Sequence, residues 1–174
     1  MANATRKTKS KFTLPGLSTA EGGQVVTILQ ERLACYNDLH LTLKHVHWNV
    51  VGPHFIGVHE MIDPQVELVR EFADQVAERI AALGASPKGT PGAIIAIRTW
   101  EDYPLGRDIV ENHLHELDKV YDGVVESNRK AMEDLEELDL VTQDILIGQT
   151  AELEKFQWFV RAHLESASGT IPTT

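Results

Sequence analysis

The chain predicts an all-α fold: a four-helix bundle with a short extra helix in the long connection between the second and third long helices. Three observations predict it. Apolar residues recur at steps of three and four along four long stretches. Capping and breaking residues stand at the ends of those stretches. No useful length of strand alternation, internal repeat or glycine-rich phosphate loop is present.

Residues 1–17 read as a flexible arm, rich in Thr, Ser, Lys and Asn and ending at Pro15-Gly16. Ser18 and Glu21 have the spacing of a capping box and open the first helix. It runs to about Val50, with Leu29, Leu33, Tyr36, His40, Leu43 and His47 on its inner stripe, until Gly52-Pro53 breaks it. The second helix runs from Phe55 to Leu83, with Val58, Ile62, Val66, Val69, Ala73, Val76 and Ile80 inside. Gly84 stands at its C′ position, and Pro64 predicts a kink near its start. A proline- and glycine-bearing linker, residues 86–92, leads to a short helix at Ala93–Ile97. The third helix is expected from Leu105 to Leu138, with Val110, Leu114, Leu117, Tyr121, Val124, Met132 and Leu135 inside. The fourth is expected from Val141 to Ala167, on Ile145, Leu153, Phe156, Phe159 and Leu164. The bundle thus occupies residues 18–167, followed by a short tail at 168–174.

At 174 residues the chain is long enough for one domain with a sizeable core. It has no apolar run approaching the ~20 residues that span a membrane. Met1 to Phe12 is polar and basic, without a signal-peptide core, so the expected compartment is the cytoplasm. The lone cysteine, Cys35, excludes an internal disulfide and reads as a buried, inert thiol. Net charge is −10, unevenly placed. The arm holds Arg6, Lys7, Lys9 and Lys11 and no acid, so an acidic body carries a basic extension. Such a body repels nucleic acid and attracts cations; only the arm suits phosphate.

The chemistry-bearing residues lie on the second helix. His59 and Asp63 are four apart, and so are Asp74 and Glu78, with a shared midpoint between Leu68 and Val69. All four fall within a helical face about 100° wide. The pairs are nevertheless fifteen residues apart, roughly 22 Å along the axis, so one ion cannot touch both pairs of one chain. If two copies of the helix cross antiparallel on a two-fold axis, His59 faces Glu78 and Asp63 faces Asp74. The same rule sets Arg70 against Glu67, opposite charges, as an isologous contact requires. His47, at the end of the first helix, reaches the same region. One site then draws His47, His59 and Asp63 from one chain and Asp74 and Glu78 from the other. Imidazole and carboxylate without thiolate suit iron, manganese or zinc, and open positions favour Fe(II) over a closed zinc site. The intra-bundle di-iron pattern, Glu-x-x-His, is absent, so iron, if it binds, is expected between subunits.

These residues sit in a longer resemblance. The stretch Leu41–Asp63, containing His45-Val46-His47-Trp48-Asn49 and Gly52-Pro53-His54-Phe55, resembles the signature of the Dps family, the DNA-binding proteins from starved cells. Asp74-Gln75-Val76-Ala77-Glu78-Arg79, Gly84, Lys88-Gly89-Thr90 and Lys155-Phe156-Gln157-Trp158-Phe159 continue it. The resemblance implies a ferritin-like bundle assembled as a hollow homododecamer, with a ferroxidase site for two iron ions at each dimer two-fold. It matches the ligand positions to His47, His59, Asp63, Asp74 and Glu78, and Trp48 to the tryptophan beside the site. It implies oxidation of Fe(II), preferably by hydrogen peroxide over dioxygen, and storage of ferric mineral. Trp48 is then either a scavenger of escaped oxidant or a core-packing indole.

The acids of the third helix and the turn after it, Glu126, Glu133, Asp134, Glu136, Glu137, Asp139 and Asp144, line a cation pore or form a solvated face. His45 and His54 either assist iron or serve in packing and at the surface. The arm resembles the lysine-bearing tails with which some family members hold DNA. Multivalency in an assembly would give Arg6, Lys7, Lys9 and Lys11 salt-sensitive, sequence-independent contact with it, and would bring the nucleoid within reach. Two alternatives to an iron-oxidising cage stand beside it: a mainly DNA-compacting structural protein, and metal-assisted hydrolysis of an amide or ester.

Overall fold

The computed structural model describes residues 14–168; Arg6, Lys7, Lys9, Lys11 and the tail 169–174 lie outside the described residues. Among the described residues, five helices and two very short strands follow in the order α1 Thr19–Asn49, β1 Val50–Val51, α2 Phe55–Ala82, α3 Pro91–Ile97, β2 Asp108–Ile109, α4 Val110–Leu135 and α5 Leu140–Ser168. α1 packs along α2, α4 packs along α5, and α1 and α4 meet beneath the long connection that carries α3. No helix among the described residues is long and apolar enough to cross a membrane.

The capping box at the start of α1 is fully made. The Ser18 hydroxyl accepts from the Glu21 amide at 3.2 Å, and the Glu21 carboxylate accepts from the Ser18 amide at 2.8 Å. Two glycines set the sharp turns. Gly52 has φ 109°, which only glycine adopts without strain, and it reverses the chain between α1 and α2. Gly84 has φ 84° and closes a Schellman motif: its amide bonds Ala81 O at 2.9 Å and the Ala85 amide bonds Ile80 O at 3.1 Å. The linker beyond is clamped by Gln30, whose side chain exchanges bonds of 3.0 and 2.9 Å with the backbone of Lys88.

Several expectations are corrected. The third long helix begins at Val110, not Leu105, because residues 108–109 extend into β2 and pair in parallel with β1, Val50 opposite Asp108 and Val51 opposite Ile109. His40 is only half-buried, and Leu39 takes the core position beside it. On α5 it is Leu146, not Ile145, that is enclosed. Asp139 belongs to neither a pore nor a solvated face. It is buried before α5, where it accepts from Arg79 at 2.6 Å, Thr142 at 2.5 Å and the Val141 amide at 3.2 Å.

The bundle centre is apolar except for a chain of polar groups, which the buried Arg32 joins at Asn128. Asn128 donates to Tyr36 Oη at 2.9 Å and Thr150 Oγ1 at 3.1 Å, and Tyr121 donates to Gln65 at 2.6 Å. Asp139 is the one buried carboxylate among the described residues, and it is at the α4–α5 turn. The interior therefore lacks the carboxylate set of an intra-bundle di-iron centre.

Candidate metal centre

The Gly52 reversal lays the last turn of α1 against the first turns of α2, and β1–β2 pairing anchors it from the side. This brings His47 and His59 face to face. Their rings stack with centroids 3.7 Å apart and planes 24° apart. Each ring bonds the other's backbone: His47 Nδ1 to His59 O at 3.0 Å, and His59 Nδ1 to His47 O at 2.9 Å. A carbonyl only accepts, so both Nδ1 atoms carry hydrogen and each neutral ring keeps its lone pair on Nε2. Backbone carbonyls on the far nitrogen are what a metal-ligating histidine uses to fix its tautomer and orientation.

Asp63 completes the group in one chain. Its Oδ1 is 3.2 Å from His47 Nδ1 and 3.0 Å from Lys44 Nζ. The bond from Lys44 holds the Asp63 carboxyl below the usual carboxylate range, with the nearby histidines adding to it. Lys44 escaped the sequence reading. Its signal was its place one turn before His47 on the same helix face. Because Asp63 is engaged by Lys44, the three side chains adjoin without converging as a ligand set. Among the described residues no three His, Cys, Asp or Glu side chains converge on a metal position.

Asp74 and Glu78 are exposed farther along α2. His59, Asp63, Glu67, Arg70, Asp74 and Glu78 follow at steps of four, four, three, four and four along one polar stripe, half-exposed at His59 and exposed beyond it. Within this chain Arg70 pairs with Glu67 itself, at 3.2 Å. Beside Arg70 and Asp74 a shallow groove of about 570 Å³ opens between α1, α2 and residues 87–89.

Trp48 is 71% exposed, which overturns the core-packing alternative for this indole within the chain. The Lys44 ammonium lies 6.0 Å from its ring centroid. His45 is not drawn to the ligand group: its Nε2 is 2.5 Å from Leu105 O and its ring meets Tyr103 edge-on. His54 precedes α2, exposed and without a capping bond. Cys35 is buried as expected, and burial pushes its thiol up to about 11.

Comparison with known proteins covers almost the whole bundle. The model of the ferritin-like domain matches residues 26–169. The DNA protection during starvation protein of Mycolicibacterium smegmatis is 68% identical over 162 residues, which span 93% of this chain and 88% of that protein. A solved structure of Mycobacterium smegmatis Dps, in a tetragonal form, superposes with TM-score 0.89 over 93% of this chain and 99% of that one. DpsA14 from Streptomyces coelicolor gives TM-score 0.89 at 59% identity, over 95% of this chain and 98% of that one.

Proposed function

The chain belongs to the ferritin-like Dps family, and from that premise we propose that it oxidises Fe(II) at sites shared between two copies and stores the ferric product inside a closed homo-oligomer, a dodecamer. The observation that carries this reading is the α2 stripe. Its ends are complementary under a two-fold axis: His59 meets the second copy's Glu78, Asp63 its Asp74 and Arg70 its Glu67. Each chain then contributes half of two identical sites.

Fe(II) is the substrate. The Nε2 atoms of His47 and His59, already oriented by their carbonyl bonds, are the imidazole donors. Asp63, with Asp74 and Glu78 of the second copy, supplies negative charge. Carboxylates favour Fe(III) over Fe(II), so the donor set draws the ion toward oxidation. Lys44 neutralises Asp63 while no cation is present and must yield that carboxylate when Fe(II) arrives. Two Fe(II) give one electron each to one hydrogen peroxide: its O–O bond breaks, and two Fe(III) and two hydroxides result. Pairing the electrons avoids a one-electron reduction that would release hydroxyl radical. Dioxygen is the slower alternative oxidant. Trp48, exposed beside Lys44, is placed to intercept an oxidant that escapes.

The relatives' name speaks of DNA protection in starvation. Consuming Fe(II) and peroxide together protects DNA without touching it. Direct contact is assigned to Arg6, Lys7, Lys9 and Lys11, repeated on every subunit. Deletion of residues 1–11 should abolish a salt-sensitive DNA shift and leave iron oxidation intact.

Stopped-flow oxidation of Fe(II) by wild type and Asp74→Ala tests the central reading. Asp74 lies far from His47 and His59 in its own chain, so a site within one chain would keep its rate. A loss of at least about tenfold, with the oligomer intact by sedimentation, is expected for a shared site; unchanged kinetics would exclude it.

A further inference from the structure

α1, α4 and the crossover residues 97–104 enclose a cavity of about 630 Å³. None of its lining side chains comes from α2, so it is separate from the polar stripe. Its volume falls inside the ~300–1,000 Å³ of small-molecule sites. Cys35, Leu39, Val120 and Val124 give it apolar walls.

Arg32 forms part of the lining and is only 5% exposed. Its Nη1 donates to Ser127 Oγ at 2.5 Å and Asn128 Oδ1 at 3.0 Å, both neutral. Its Nε is enclosed without an acceptor. Nη2 makes no bond among the described residues either. Asp38 on the same lining is committed elsewhere, to Arg98 at 3.3 Å and to the Trp100 indole at 2.7 Å. A buried guanidinium with no carboxylate partner is costly to maintain, and burial is compensated when an anion joins it.

Gly123 is the second observation. It sits inside α4, where glycine costs about 1 kcal/mol against alanine. A Cβ there would meet nothing within 4 Å. Avoiding a clash therefore does not explain this glycine; it keeps the cavity wall open. The lining also carries Glu31, Glu101, Asp102 and Glu116, with Asp102 paired to Arg98 and Glu116 to Lys119; the remaining negative charge opposes a polyanion more strongly than a single carboxylate on an apolar body.

We propose that this cavity binds a small organic monocarboxylate, its carboxylate held by Arg32 and its apolar body lying among Cys35, Leu39, Val120 and Val124. The probe is hydrocinnamate, titrated calorimetrically into the full-length assembled protein, with hydrocinnamamide and phenylpropylamine as its neutral and cationic counterparts. The acid should bind, with the amide roughly tenfold weaker because a charge-assisted bond is lost. Arg32→Gln should abolish the preference of acid over amide. Gly123→Leu, which fills the cavity from an open position, should remove binding of both while the fold and assembly persist, and it carries the test if Arg32→Gln does not assemble. Equal binding of acid and amide, preference for the amine, no binding of the acid at millimolar concentration, or unaltered binding to Gly123→Leu would each overturn the assignment.

Discussion

His47 and His59 hold one another through the backbone: each ring's Nδ1–H donates to the other residue's carbonyl oxygen, at 3.0 and 2.9 Å. Both carbonyls belong to helix turns, His47 at the end of α1 and His59 at the start of α2. The exchange welds the two helix ends together and fixes both tautomers at once. Replacing either ring therefore loosens the other, so under the proposed function the two imidazoles are lost as one unit.

Lys44 is expected to restrain cation binding at neutral pH. Its ammonium bonds the Asp63 carboxylate, and an arriving ion must break that contact. Both groups are partly or largely exposed, so the contact is weak and the effect modest. Lys44→Met should tighten binding of Co(II), a stand-in that peroxide-free buffer does not oxidise, by at most roughly fivefold at pH 7. Calorimetric titration measures it, and weaker binding to the variant would contradict the counter-ion role.

Stability should fall on mild acidification through His113. This ring is fully buried, and burial lowers its pKa, against opposing contributions from Asn49 O, Asp108 and Gly106 O. Tyr103 lies parallel to it, ring centroids 5.9 Å apart, and its hydroxyl reaches His113 Nδ1 and O at 3.0 Å each. The unfolded chain protonates near pH 6.5, whereas the folded chain resists until lower pH. Stability is thus fully present above about pH 6.5 and declines as pH drops toward the folded value. Melting temperatures at pH 7.5 and 5.5 should differ in wild type and differ less in His113→Phe.

These cases show what a one-dimensional reading reaches. The Ser18–Glu21 box, the Gly84 cap and the mirrored pairs on α2 depend on spacing within one helix, and spacing is written in the sequence. Lys44 against Asp63 depends on how α1 and α2 register across the Gly52 turn. The late start of α4 depends on a parallel pairing between residues more than fifty positions apart. Asp139 looked like one acid in a run of acids; only folding brings Arg79 of α2 and Thr142 to it and turns it into a buried cap. Short helical spacings were legible, as was the approach of His47 to His59 across the short Gly52 turn, whereas the pairings of Asp139 and β2 across long stretches of chain were not.

Asp139→Ala should be among the more damaging substitutions outside the metal group. Burial alone would raise its pKa, but bonds from Thr142 and Arg79 together outweigh it and leave it lowered. Removing the carboxylate strands Arg79, itself largely buried, and breaking such a pair costs about 3–5 kcal/mol. Because the folded pKa is lowered, this contribution is present above about pH 4 and is lost as pH falls further. Chemical denaturation should show Asp139→Ala well below wild type at pH 7 and the gap closing in acid. Asp139→Asn, which retains an oxygen for the Val141 amide, should fall between them.

The shared-site proposal makes a prediction that no single-chain site can mimic. His59→Ala and Asp74→Ala remove residues on opposite halves of the α2 stripe. In either homo-oligomer every site lacks one ligand, so Fe(II) oxidation should be slow in both. In a dimer of one variant with the other, the two damaged positions fall in the same site. The second site then keeps His59 from the Asp74→Ala chain and Asp74 from the His59→Ala chain. Dissociating the two inactive proteins, mixing them in equal amounts and reassembling them should therefore restore oxidation. With random pairing, half of the dimers are mixed and each holds one intact site of two, so recovery should approach about a quarter of the wild-type rate. Stopped-flow absorbance of the mixture reads this directly. A site confined to one chain predicts no recovery beyond the average of the two parents, and that result would remove the two-fold arrangement from consideration.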